Sequence, residues 1–183
     1  MDRTVRSHSF TVDYGNVLVI TQPASNSCVH LIDSRWPDLS TSESESIMLV
    51  ASESKNENVI TEPQPQFMPQ EIFGTEPEHT WCFYYQKAAL ARQQGKWDEI
   101  IKIDQQTSKL ELHPNDQIEL MPFLQAYAFS GNQKQVKQIS TRINTEPYYK
   151  TQACQALRAM DKNGYALSAE MKAYTDSLFC SLK

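Results

Sequence analysis

The chain is poor in glycine. Five glycines in 183 residues leave little room for a loop that cradles phosphates. It contains no P-loop signature, no G-x-G-x-x-G, no G-x-S-x-G and no H-E-x-x-H. Positive charge is also in deficit, with 17 Lys and Arg against 22 Asp and Glu and a net charge of -5. A nucleic-acid binder would show a basic surface to neutralise phosphates, so nucleic acid is not an expected partner. No run approaches the roughly 20 apolar residues that span a bilayer. Residues 1–6 carry Arg3 and Arg6 with no apolar stretch behind them, unlike a secretory leader. The chain therefore reads as soluble, without direct membrane insertion, on either the cytoplasmic or the extracytoplasmic side. Cys28, Cys82, Cys154 and Cys180 are widely spaced, with no CxxC pair and no histidine at zinc-ligand spacing. No metal and no cofactor is expected. The four cysteines are expected to be reduced and packed as small hydrophobes. Disulfides would need an oxidising compartment, which the sequence does not settle.

What is present divides into three stretches. Apolar residues make up 40% of the chain, enough for a core. Residues 1–66 read as a small α/β unit, 67–78 as a connector and 79–183 as helical repeats. In the first stretch, Phe10, Val12 and Tyr14 alternate with polar residues, and Gly15-Asn16 supplies turn chemistry before Val17-Leu18-Val19-Ile20. That pattern predicts a β-hairpin. Cys28-Val29-His30-Leu31-Ile32 predicts a third strand after the turn signals Pro23 and Asn26, and Asn58-Val59-Ile60-Thr61 a fourth. Residues 38–78 hold nine acidic residues and a single Lys55, a composition that favours a solvated linker. Ser46-Ile47-Met48-Leu49-Val50-Ala51 is too apolar for that, and predicts a short capped helix within 42–52.

From Glu78 the period becomes helical. Trp81, Tyr84, Tyr85, Ala88 and Ala91 recur at three- and four-residue steps and share one stripe. Gly95 then stops the helix and Trp97 restarts another, so the two must fold back on each other. The same punctuation recurs at Gly131 and Gly164, at separations of 36 and 33 residues, close to the tetratricopeptide period of about 34. Apolar positions share the register: Tyr84, Leu120 and Ala153; Ala88, Leu124 and Leu157; Ala91, Tyr127 and Met160; Ile100, Val136 and Ala169. Pro114 and Pro147 are placed to precede the next first helices. The fold class predicted is mostly α. A small α/β amino-terminal unit leads into a right-handed, tetratricopeptide-like array of about three antiparallel helical hairpins.

The run Glu78-His79-Thr80-Trp81-Cys82-Phe83-Tyr84-Tyr85-Gln86-Lys87-Ala88, continuing through Leu90-Ala91-Arg92-Gln93-Gln94-Gly95-Lys96-Trp97, carries a family resemblance. So do Phe73-Gly74-Thr75-Glu76-Pro77, Pro114-Asn115-Asp116 and Leu120-Met121-Pro122-Phe123. The chain from about Cys28 onward resembles the carboxy-terminal soluble region of bacterial multi-pass membrane proteins of the dolichyl-phosphate-mannose-type glycosyltransferase group. The resemblance implies an accessory domain. The catalytic acids of such transferases lie in their membrane part, so none is carried onto this chain, and no catalytic residue is assigned.

Repeat arrays bind partners on the concave face lined by their first helices. By the glycine register that face takes in Tyr85, Ala89, Arg92, Gln125, Phe129, Arg158 and Lys162. Its three cations suit an acidic peptide or carboxylate, and equally an ordinary solvated surface. The expected function is a non-catalytic protein-interaction or scaffolding domain. The alternative is a domain that contacts glycan or lipid-linked sugar beside a membrane transferase, with Tyr85 and Trp97 stacking on the sugar. Trp81 and Tyr84 are expected in the core. His79 is expected to sit beside Thr80, whose hydroxyl would cap the first helix.

Overall fold

Three helices end in one way, and the endings organise the molecule. In the computed structural model, α3 (Trp81–Gln93), α5 (Met121–Phe129) and α7 (Pro147–Lys162) each stop before a glycine in the left-handed region. The φ values are 69°, 79° and 86° at Gly95, Gly131 and Gly164. Lys96 N–H bonds Ala91 O at 2.8 Å, Asn132 N–H bonds Tyr127 O at 2.9 Å and Tyr165 N–H bonds Met160 O at 2.8 Å. Each glycine N–H bonds the next carbonyl along, at Arg92, Ala128 and Asp161. This is the Schellman closure, which satisfies the orphan carbonyls at a helix end and requires positive φ. Helix α4 (Trp97–Lys109) closes likewise through Glu111, at φ 55°, with Leu112 N–H on Thr107 O at 3.0 Å. A side chain held in that region costs about 1 kcal/mol or more, which glycine avoids.

The structure describes residues 2–5, 8–11, 17–36, 38–59 and 70–181, with backbone only at 2–11, 58 and 73. Helix dominates. Helices α6 (Gln133–Ile143) and α8 (Ala169–Thr175) complete the carboxy-terminal set, α8 running on into a π-helical turn at Asp176–Cys180. Asn132 and Ser168 cap them, their side-chain oxygens accepting from Gln135 N at 3.2 Å and Met171 N at 3.2 Å. Helix α5 packs against α3, α4, α6 and α7, so it is the centre of the helical set. All of the apolar register positions are buried except Ala169. Pro147 opens α7 as expected, but Pro114 opens no helix. A 3₁₀ turn at Gln117–Leu120 leads into α5, whose first turn holds Pro122 instead. Among the described residues no helix is long and apolar enough to cross a membrane.

The amino-terminal part is built of short pieces. Strands β1 (Asp2–Val5) and β2 (His8–Thr11) pair antiparallel, with Asp2 opposite Thr11. Strands β3 (Ile20–Thr21) and β4 (His30–Leu31) form a second ladder, with Ile20 opposite Leu31. The expected hairpin about Gly15-Asn16 has its turn outside the described residues, and 17–20 pairs elsewhere. Val19 N–H bonds Ser54 Oγ at 3.0 Å, Val19 O accepts from Ile32 N–H at 3.0 Å, and Val17 O accepts from Lys55 N–H at 2.8 Å. Val17 O and both backbone groups of Val19 are thus satisfied by residues 32, 54 and 55. The fourth strand is also corrected: Asn56–Asn58 is a 3₁₀ turn, and 60–61 lie outside the described residues. The short helix is where the apolar run placed it, as α1 (Glu45–Val50), with Ser44 as N-cap. Helix α2 (Gln70–Phe73) follows in the connector.

Residues 17–59 have a small cluster of their own, Val19, Ile32, Leu39 and Ala51, closed by Val17 and Ile47. Cys28 and Trp36 instead belong to the main core with α3 to α8. The expectation of reduced cysteines is overturned. Cys28 pairs with Cys82 and Cys154 with Cys180, at Cα separations of 5.1 and 5.2 Å, inside the range a disulfide accepts. Sequence separations of 54 and 26 residues conceal what packing brings together.

Candidate functional site

Residues 28–36 and 38–41 lie against α3, the 3₁₀ turn before α5 and α7, and three buried polar clusters fasten them there. The first is built on Glu119. Asp116 caps the 3₁₀ turn by accepting from Ile118 N at 3.2 Å, and the turn puts Ile118 and Leu120 in the core with Glu119 fully buried between them. The Glu119 carboxylate accepts from Cys28 N–H at 2.8 Å and from Trp81 Nε1–H at 2.6 Å. His30 Nε2 stands 3.4 Å away. One carboxylate therefore ties β4's approach to the first turn of α3, beside the Cys28–Cys82 bond.

The second cluster crosses three helices. Arg92, near the end of α3, donates to Asp38 Oδ2 at 2.5 Å and to Gln125 Oε1 at 2.9 Å. Gln125 Nε2 in turn donates to Ala156 O of α7 at 3.3 Å, and the Trp36 ring lies 6.0 Å from the guanidinium. Burial pushes the Asp38 carboxyl above its ordinary range, and the Arg92 charge works against that rise. An arginine kept from water needs this partner, since losing it strands a buried charge. The third cluster is Tyr149 of α7. Its hydroxyl donates to Asp116 Oδ1 at 2.7 Å and accepts from Thr41 N–H at 3.2 Å, with the Ser40 and Thr41 hydroxyls at 3.3 and 3.1 Å. Burial, then the Asp116 hydrogen bond, pushes this phenol upward.

The residues predicted to line a partner face separate into two groups. Tyr85, Arg92 and Gln125 are brought together but are buried at 4%, 5% and 0% exposure. Their faces are taken up by the chain's own amino-terminal segment, with the His30 ring 5.2 Å from Tyr85. Burial, and then the nearby Asp38 carboxylate, raises the Tyr85 phenol far above its usual range. Phe129 is 43% exposed, beside Trp97 and Tyr165 at 5.6 and 6.1 Å. Lys162 is exposed at the last turn of α7, and exposed Arg158 pairs with Asp176 at 3.1 Å. Trp97 is buried, so neither it nor Tyr85 offers a ring face to a sugar. Trp81 and Tyr84 are core residues as expected. Thr80 occupies the N-cap of α3, but its side chain makes no capping bond; His79 instead bonds Glu76 at 2.7 Å and stacks on Phe83 at 3.5 Å.

Two cavities border the seam and the helices. One of about 270 Å³ lies between 20–33, 56–59 and α3, lined by Ile20, Val29, Leu31, Tyr85, Ala89 and Leu90. The other, about 500 Å³, opens between α4 and α6 over Asp104 and Tyr127, whose hydroxyl donates to Asp104 Oδ2 at 2.6 Å. Burial raises the Asp104 carboxyl, partly offset by that hydrogen bond. Among the described residues no histidine nitrogen bonds a serine, threonine or cysteine side chain. The acids of the seam are joined to donors, an arrangement that fastens segments together.

Sequence reading passed over Asp38, Asp116, Glu119 and Tyr149. Glu119 had a signal, since it is the one charge in Ile118-Glu119-Leu120-Met121, and a buried acid needs donors. The others had none, because their partners lie 33 to 109 residues away. Comparison with protein-family models, with curated proteins and with solved structures finds no match for this chain.

Proposed function

We propose that the chain is a non-catalytic interaction module. Its helices are tetratricopeptide-like hairpins, and their first-helix face receives an extended segment. In this molecule residues 28–36 and 38–41, extended on either side of a turn at Asp33–Trp36, take that place. The supporting observation is the manner of holding: Cys28 and Thr41 present backbone N–H groups to Glu119 and Tyr149, and Asp38 sits on Arg92. Extended peptides are held on helical scaffolds by such backbone and charge-assisted contacts. A partner segment then meets what the amino-terminal segment leaves open, with Phe129 as the apolar anchor and Lys162 as the cation. An acidic partner segment matches that pairing.

The test is photo-crosslinking from position 129 in native extract, with Ile101 on α4 as the control position. Capture of one partner from position 129, reduced in Lys162→Glu, is the expected outcome. Equal capture from both positions, or no effect of Lys162→Glu, would count against this face.

The two disulfides favour a compartment where such bonds persist, outside the reducing cytosol. That supports placing the module as an accessory domain on the extracytoplasmic side of a membrane glycosyltransferase system. Its contact there would be with protein, since the two rings proposed for sugar stacking are buried.

A further inference from the structure

The two disulfides differ at one sulfur, since Cys28 is buried while Cys82, Cys154 and Cys180 are half-buried. Cys28 is 2% exposed, its N–H is bonded to Glu119, and Trp36 and Trp81 share its core cluster. Its partner Cys82 is half-buried, so a thiol in solution reaches this bond only there, and Cys28 would then have to leave as a thiolate buried beside the Glu119 carboxylate, which burial and like charge both disfavour. Cys154 and Cys180 are each half-buried and together form part of the wall of a cavity of about 360 Å³ between α7 and the π-helical turn. Asn144, Pro147, Lys150 and Thr151 line the same cavity. Lys150 Nζ donates to the carbonyl of Ser181, the residue after Cys180, at 2.9 Å, so a cation sits in the cavity at the Cys180 end of the bond. The Asp176 carboxylate lies within 4.8 Å of both sulfurs and is engaged by Arg158.

We propose that Cys154–Cys180 is a thiol-exchange site that accepts a small anionic monothiol. The cavity has room for a molecule of peptide-fragment size. Lys150 attracts a carboxylate-bearing thiol and holds it at the Cys180 side. In the exchange step the incoming thiolate attacks Cys180 Sγ and a mixed disulfide forms there. The Cys154–Cys180 bond breaks, its electron pair leaves on Cys154 Sγ, and that thiolate takes a proton from water. The incoming thiol is the only co-reactant. The product removes the covalent tie between α7 and the carboxy-terminal turn, which keep their ion pair and packing, while Cys28–Cys82 keeps the amino-terminal segment attached.

The experiment treats the native, oxidised full chain with reduced glutathione, traps free thiols with iodoacetamide and maps the peptides by mass. Glutathione is expected on Cys180, with alkylation on Cys154, and with adduct on the 28–82 pair lower by about ten-fold or more. Equal adduct on both pairs, or none before denaturant is added, overturns the site. Adduct on Cys154 overturns the choice of attacked sulfur. Lys150→Met, checked for an unchanged circular dichroism spectrum, is expected to slow glutathione about three-fold or more at low salt and to leave neutral 2-mercaptoethanol unaffected. Equal slowing of both thiols, or of neither, overturns the role of Lys150.

Discussion

Residues 17–59 and residues 81–180 are both well packed, yet they are held by different kinds of contact. In the helical part most backbone groups find partners a few residues away, and the glycine closures at 95, 131 and 164 repeat the same bonds. Packing along the shared register then does the rest, with α5 at its centre. In the amino-terminal part the ladders are two residues long, and the decisive partners are distant: Ser54 for Val19, Glu119 for Cys28, Arg92 for Asp38, Tyr149 for Thr41. Local bonding survives most single substitutions because each bond has neighbours of its own kind. A segment held by a few long-range polar groups depends on each of them.

The largest effect is therefore expected at Glu119. Glu119→Ala strands the Cys28 N–H and the Trp81 Nε1–H in the core, at a cost of about 3–5 kcal/mol. Denaturant melts would measure it, with amide exchange showing whether protection falls first in 28–41. A loss spread evenly over α3 to α8 would erase the distinction between the two regions.

Next come the glycines, which test how far the repeated closures are alike. A Cβ on Gly95 would clash with the Tyr165 hydroxyl, whereas one on Gly131 meets nothing within 4 Å. Both substitutions to alanine incur the left-handed penalty of about 1–2 kcal/mol. Gly95→Ala is expected to cost more, by roughly another 1–3 kcal/mol of overpacking. Equal melting temperatures for the two variants would mean that the Tyr165 ring moves aside freely.

The smallest effect concerns Asp104 and depends on pH. Its folded pKa is raised, chiefly by burial, so the folded state binds the proton more tightly than the unfolded chain. The stability from this group is complete below the ordinary carboxyl value and is lost as pH rises through the raised one. Asp104→Asn keeps an acceptor for the Tyr127 hydroxyl and removes that loss. The variant should match wild type in acid and exceed it by about 1 kcal/mol or less at neutral pH. A gap that is constant with pH would show that the carboxylate is well solvated from the α4–α6 cavity.

Legibility follows the same division. The stripe through Trp81, Tyr84, Ala88 and Ala91, the stops at Gly95, Gly131 and Gly164, and the apolar helix after Ser44 were all readable, since helix periodicity and closure are set within a few residues. The hairpin expected at 10–20 has its turn outside the described residues, and Ile20 pairs with Leu31, a partner that alternation alone does not name. Tyr85, Arg92 and Gln125, expected on an open face, come together in the core, and the sequence held no sign that residues such as His30 and Asp38 would cover them.

By itself, then, the sequence determined where α3, α5 and α7 end, at their glycines, and that the stripe through Trp81, Tyr84, Ala88 and Ala91 turns inward. Local hydrogen bonds and left-handed glycines suffice for that. Only the tertiary structure decided which cysteines join, which acids are buried and which face remains open. Those outcomes turn on groups brought within a few ångströms from 26 to 109 residues away, and a low-dielectric interior makes each such pairing count for far more than it would in water.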